Sequence, residues 1–119
     1  LAMGCYEISL GDTLGSANPD STKKLLSELL SVFQTKELAL HFHDTQGKAI
    51  ENIATASEFG ITTFDSSIAG LGGCPYAPGA KGNVATETVV DFLESKGFRT
   101  GIDIENLKIA VQFARSLGQ

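Results

Sequence analysis

The sequence predicts an α/β chain with parallel strands, and three observations carry the prediction. Apolar residues alternate with period two in three short stretches, each stretch is followed by an apolar pattern of helical period, and glycines punctuate the joins. Such regular alternation favours parallel strands joined by right-handed crossovers, because a right-twisted strand and its following helix pack back onto the sheet only with that hand. The reading gives three strand–helix units and one extra helix in a single domain over residues 1–119.

Tyr6, Ile8 and Leu10 alternate with Glu7 and Ser9, a strand with one apolar face, and Gly11 stops it. Asn18 before Pro19 reads as an N-cap with proline in the first helical position, and Leu25, Leu26, Leu29, Leu30 and Phe33 then recur at helical spacing. Leu38, Leu40 and Phe42 alternate with Ala39, His41 and His43 in a second strand, followed by a helix through Ala49, Ile50, Ile53 and Ala54 that Gly60 ends. A third strand is expected over 61–67. After a glycine-rich loop, Val89, Val90, Phe92 and Leu93 mark a helix closed by Gly97. A last helix starts at Asp103 as N-cap and carries Leu107, Ala110, Val111 and Ala114.

With Tyr6, Ile8, Leu10, Leu40 and Phe42 turned toward the helices, the opposite strand faces carry Glu7, Ser9, His41, His43, Asp65 and Ser67. Strands covered on both sides normally read as near-continuous apolar runs. Polar residues gathered near the strands' C-terminal ends are what a barrel enzyme shows where it places its chemistry. A closed eight-stranded barrel takes about 250 residues, so about three of its strands are accounted for.

Charge and composition exclude several classes. Nine Lys and Arg stand against 14 Asp and Glu, a net charge of -5, so no basic stripe is available for a phosphate backbone and nucleic acid is not an expected partner. No apolar run approaches the roughly 20 residues of a membrane span, and no basic segment followed by a long apolar stretch opens the chain, so neither a membrane nor export is expected. The two cysteines, Cys5 and Cys74, do not make a disulfide scaffold, which points to a reducing, cytosol-like compartment.

His41 and His43 are the chain's two histidines, and at i, i+2 on a strand their side chains point the same way, close enough for one cation. Imidazole commonly ligates first-row metals while its other N–H meets an outer partner, for which Asp12, Asp44 and Asp65 are candidates. Two strand histidines hydrogen-bonded within a polar layer explain the pair equally well. The loop Gly70-Leu71-Gly72-Gly73-Cys74-Pro75-Tyr76-Ala77-Pro78-Gly79-Ala80-Lys81-Gly82-Asn83 follows the third strand, where barrel enzymes keep functional loops. Cys74 could serve as a general acid or be a small packed thiol. Asn83 could give its carbonyl oxygen to the cation or hold a turn. Asp12 is placed to bind a histidine N–H or a substrate hydroxyl, or to form an Asx turn. Glu87 suits the positive end of a helix dipole, and Lys48 could meet an anion or remain solvated.

Taken together, Tyr6-Glu7-Ile8-Ser9-Leu10-Gly11-Asp12-Thr13, His41-Phe42-His43-Asp44-Thr45-Gln46-Gly47-Lys48-Ala49 and the stretch 70–83 with Thr86-Glu87 resemble 3-hydroxy-3-methylglutaryl-CoA lyase, in order and over nearly the whole chain. The His-x-His segment is shared with other metal-dependent aldolases and Claisen-type synthases, whereas the Gly-Gly-Cys-Pro-Tyr-Ala-Pro-Gly loop resembles the lyase in particular. The resemblance implies the C-terminal portion of a (β/α)8 TIM barrel. It implies a divalent cation, Mg2+ or Mn2+, held by His41, His43 and Asn83, with Cys74 in proton transfer and Asp12 and Glu87 supporting the site. The implied reaction splits 3-hydroxy-3-methylglutaryl-CoA into acetoacetate and acetyl-CoA through a thioester enolate.

The family's first barrel strand also supplies an arginine for the enolate oxygen and an aspartate that ligates the metal, and neither matches a segment of this chain. The chain alone is therefore expected to be weakly active or inactive, and to form a dimer or pair with a missing N-terminal half. An acyl-CoA is the expected small-molecule partner. The implied compartment is the cytoplasm for a bacterial chain and the mitochondrial matrix for a eukaryotic one. Two alternatives stand beside this reading: a related aldolase or synthase with the same metal and another substrate, and a non-catalytic half-barrel that self-associates.

Overall fold

A computed structural model of the chain describes residues 1–72 and 82–117. Strand β1 (Ile8–Gly11) is followed by helix α1 (Pro19–Leu29), β2 (Leu38–His41), α2 (Ala49–Glu58), β3 (Phe64–Asp65), α3 (Thr86–Ser95) and α4 (Ile104–Ser116). Short 3-10 helices precede β2 and follow β3. The sheet is parallel with order β1-β2-β3, Gly11 lying opposite His41 and His41 opposite Asp65. The α/β alternation and the parallel pairing are those the sequence predicts.

Helix ends follow local chemistry. Asn18 accepts from the Ser21 amide while the Ser21 hydroxyl takes the Asn18 amide, a capping box that satisfies two otherwise unpaired donors ahead of Pro19. Asp103 caps α4 by its side chain alone, accepting from the Asn106 amide. At the far end of α2, Gly60 takes φ +90° and the Ile61 amide turns back to the Ala56 carbonyl, a left-handed exit that a side chain would resist.

Leu26 of α1, Leu38 and Leu40 of β2, Phe42, Ala49 and Ile53 of α2, Ile61, Val84 and Val89 of α3 bury against one another. The sheet's apolar face thus meets the helices, with α1 packed beside α2. A second cluster, Val90, Leu107 and Val111 with Ile68 and Ala69, ties α4 to α3 and to the bend after β3.

Three expectations are corrected. Tyr6 is exposed rather than turned into the helices, because β1 begins only at Ile8, where Leu38 first provides a partner. Leu25 is half exposed, on the edge of the α1 apolar stripe rather than in it. The third strand is Phe64–Asp65 rather than the whole of 61–67, with a separate bridge from Ser67 to Ala85. No helix among the described residues is long and apolar enough to cross a membrane.

Candidate metal centre

At the C-terminal end of β2 the chain carries His41, its last residue, and His43 two residues beyond, with their rings 5.1 Å apart and inclined at 74°. Their common face follows from the strand's period of two. The segment 82–85 returns along this end of the sheet: the Asp44 amide donates to the Gly82 carbonyl at 2.8 Å, and His43 bridges Asn83 in antiparallel fashion. Backbone pairing therefore delivers Asn83 to the histidines across 42 residues of sequence.

Asn83 is oriented by its own hydrogen bonds. Its Nδ2 donates to the Leu71 carbonyl at 2.8 Å and to the Gly72 carbonyl at 2.9 Å. Since carbonyls only accept, the amide is fixed with Oδ1 outward, 2.6 Å from His41 Nε2. His43 is oriented as firmly, its Nδ1 lying 2.6 Å from the Thr13 carbonyl. Nδ1 must then be the protonated nitrogen, which leaves Nε2 of the neutral ring with its lone pair, the arrangement usual in a metal-ligating histidine.

This donor set fits a divalent cation. Two ligands bound at about 2.1 Å and at right angles lie about 3 Å apart, so the 2.6 Å contact between His41 and Asn83 needs to open by only a few tenths of an ångström to become two coordination bonds. His41 must also move its proton to Nδ1. Two imidazoles and one amide oxygen make half of an octahedral shell, with the remaining places left to carboxylate, water or substrate oxygen. Among the described residues no group of three or more His, Cys, Asp or Glu is arranged to hold a cation.

The other residues named from the sequence take distinct places. Asp12 accepts from the Ser16 and Ala17 amides at 3.1 and 3.3 Å, so its carboxylate folds back over the loop after β1. Glu87, in the first turn of α3, accepts from the Ala69 amide at 2.9 Å. Asp44 accepts from the Ala49 amide at 3.2 Å and so steadies the start of α2, where Lys48 occupies the N-cap position without a side-chain cap. Asp65, exposed and in register with His41, accepts from the Ser9 hydroxyl at 2.9 Å across the sheet's polar face. Cys74 lies outside the described residues.

Sequence reasoning missed the Thr13 carbonyl, which no side-chain motif announces, and the buried amide of Asn52. The latter had a signal: an asparagine on the α2 stripe formed by Ala49, Ile53 and Ala56 is a polar residue on an apolar face.

A parallel strand–helix chain with a His–His–Asn cluster at the C-terminal end of its central strand has the build of a TIM-barrel catalytic face. The chain belongs to the HMGL-like family, whose model matches residues 1–113. It is 50% identical over 117 residues to the hydroxymethylglutaryl-CoA lyase of Pseudomonas mevalonii, covering 98% of this chain and 39% of that one. It superposes on the HMG-CoA lyase of Brucella melitensis with a TM-score of 0.94 at 47% identity, covering 98% of this chain and 41% of that chain. An HMG-CoA lyase of Acinetobacter baumannii, solved in complex with coenzyme A and 3-methylmalate, superposes with a TM-score of 0.84 at 43% identity, over 98% of this chain and 37% of that chain. The chain thus spans about two-fifths of the length of these relatives.

Proposed function

We propose that this chain is the metal-binding C-terminal portion of a hydroxymethylglutaryl-CoA lyase, which cleaves 3-hydroxy-3-methylglutaryl-CoA to acetoacetate and acetyl-CoA. The observation that carries the reading is the pairing of His41 Nε2 with the oriented Asn83 oxygen beside a His43 ring whose Nδ1 is committed to Thr13. The names of the longer relatives and the coenzyme A complex of one of them support the substrate class.

His41, His43 and Asn83 would hold the divalent cation, Mg2+ or Mn2+. When bound, it supplies Lewis-acid charge that lowers the cost of negative charge on a substrate oxygen. Loss of the tertiary hydroxyl proton drives the adjacent carbon–carbon bond to break. The ketone of acetoacetate forms, and the electron pair of the broken bond passes to the carbon next to the thioester carbonyl, giving the enolate. The base that takes the hydroxyl proton comes from the part of the barrel that these residues do not include. Cys74, directly or through a water, returns a proton to the enolate carbon. Asp12 and Glu87 act through backbone, holding the loop after β1 and the bend after β3 that flank the site. The working assembly is a dimer or a pairing with an N-terminal half, in the cytoplasm of a bacterium or the mitochondrial matrix of a eukaryote.

Mixing the chain with an N-terminal half-barrel, Mg2+ and 3-hydroxy-3-methylglutaryl-CoA should release acetoacetate. His41→Ala and Cys74→Ala should each lower the rate by about 10²-fold or more. A folded, metal-loaded complex that releases no acetoacetate, or one indifferent to His41→Ala, would refute the lyase reading. Turnover of a different acyl-CoA or keto acid would point to a related aldolase or synthase.

A further inference from the structure

Asn52 and Thr22 are the buried polar side chains among the described residues, and Asn52 is 0% exposed. A buried amide left unpaired costs free energy, so its partners report what it is for. Asn52 Oδ1 accepts from the Thr22 hydroxyl at 3.1 Å, and its Nδ2 donates to the Ala17 carbonyl at 3.0 Å. Ala17 is also the residue whose amide N–H the Asp12 carboxylate holds. The backbone at Ala17 is therefore gripped on both sides, its N–H by Asp12 at the start of the loop and its carbonyl by Asn52 from the helix layer.

The loop so held, residues 12–17, bears the Thr13 carbonyl that receives His43 Nδ1 at 2.6 Å. It also packs tightly on the segment after His43. Gly15 has φ +67°, and a Cβ there would come within 2.4 Å of the Thr45 hydroxyl oxygen. The Thr45 hydroxyl is itself buried with no hydrogen-bond partner. The loop has little room to slide, and Asn52 and Asp12 set where it stops.

We propose that Asn52 is a positioning residue for His43: by pinning Ala17 it places the Thr13 carbonyl, which locks the His43 ring in the Nδ1-protonated tautomer with Nε2 presented to the cation. The geometric part is independent of the lyase reading, and only the word cation rests on it. Asn52 itself lies in the helix layer and touches neither His43 nor any reacting group.

The test reads the ring directly. The chain has two histidines, so 15N-histidine labelling gives two rings, told apart by His41→Ala. Long-range 15N–1H spectra of the metal-free chain near pH 8, above the ordinary imidazole value of about 6.5, report the neutral tautomer. Unmodified chain should show His43 protonated at Nδ1. Asn52→Asp, which keeps the shape and removes the amide donor, should give a tautomer mixture and weaken Mn2+ binding, read by titration, about tenfold or more. Ile53→Ala, a core change on the same helix, should lower thermal stability and leave the tautomer in place. Thr22→Val, which removes only the hydroxyl that steadies Asn52, should shift the tautomer in the same direction and serves if Asn52→Asp does not fold. A folded Asn52→Asp or Thr22→Val chain with the His43 tautomer unchanged overturns the proposal, as does an equal shift in Ile53→Ala. If unmodified chain paired with an N-terminal half-barrel takes up no Mn2+, the lyase reading falls while the tautomer comparison still decides this one.

Discussion

Ala69 holds φ +57°, a conformation that L-residues other than Gly, Asn and Asp rarely adopt. Glu87 accepts its amide N–H, so a carboxylate stabilises the strained bend from which the glycine-rich stretch departs. Ala69→Gly should raise stability by roughly 0.5–1 kcal/mol, because the left-handed bend is no longer penalised. Glu87→Ala should lower it by about 1–2 kcal/mol, and Glu87→Gln, which keeps an acceptor, by less. Urea unfolding of the three variants checks all of this, and a neutral Glu87→Ala would remove the carboxylate's structural role. At this scale the histidine pair was legible from spacing alone. The job of Glu87 was not: its partner lies 18 residues away, and sequence gave it only a helix terminus to interact with. Asp12 is read with two roles open, and its carboxylate takes the Ser16 and Ala17 amides, four and five residues on, rather than the amide two residues on that an Asx turn uses.

Helices were the most readable elements, because caps and glycine exits are local chemistry. Asn18, Gly60, Gly97 and Asp103 all stand at the ends the sequence assigns them. Strand limits were less readable because a strand needs a partner. Tyr6 continues the alternation of β1, yet β2 begins at Leu38 opposite Ile8 and nothing pairs farther back. The link between α3 and α4 has a capping device of its own. Thr100 gives Glu94 a hydroxyl hydrogen bond at 2.8 Å and an amide hydrogen bond at 3.1 Å, which with nearby Arg99 hold the carboxyl below its usual range. A carboxyl depressed in the folded state stabilises fully above its unfolded value of about 4.3, and that contribution is lost as pH falls through the lower folded value. Thr100→Val should move the Glu94 titration upward toward the ordinary value, as followed by carboxyl 13C shifts between pH 2 and 7 (roughly the carboxylate range). No movement would mean that the hydroxyl does not govern this group.

For the whole molecule, the three-stranded sheet ends at β1 and β3, each paired only with β2 among the described residues. Unpaired strand edges invite further pairing. α4 and its C-cap residue add Ile109, Phe113 and Leu117, each at least 60% exposed, at four-residue spacing on one side of the helix. Sedimentation velocity should therefore find the chain alone in associated forms, and addition of an N-terminal half-barrel should collapse them to a discrete complex. A single species with the mass of one chain, unchanged by that addition, would contradict this. The sequence carried the order of elements and the polar face, which depend on short-range periodicity. Periodicity could not carry the closeness of Asn83 to His41, which only the family resemblance implied, because it depends on residues 82–85 running back along the sheet end. That closeness has a mechanical side. Asn83 spends both amide hydrogens on the carbonyls of Leu71 and Gly72, so its side chain works as a drawstring across the neck of the segment between them. An amide oxygen drained of electron density by an ion makes its own N–H groups better donors. If Asn83 ligates the proposed ion, its arrival tightens the knot, and the infrared stretch of those two carbonyls falls in frequency.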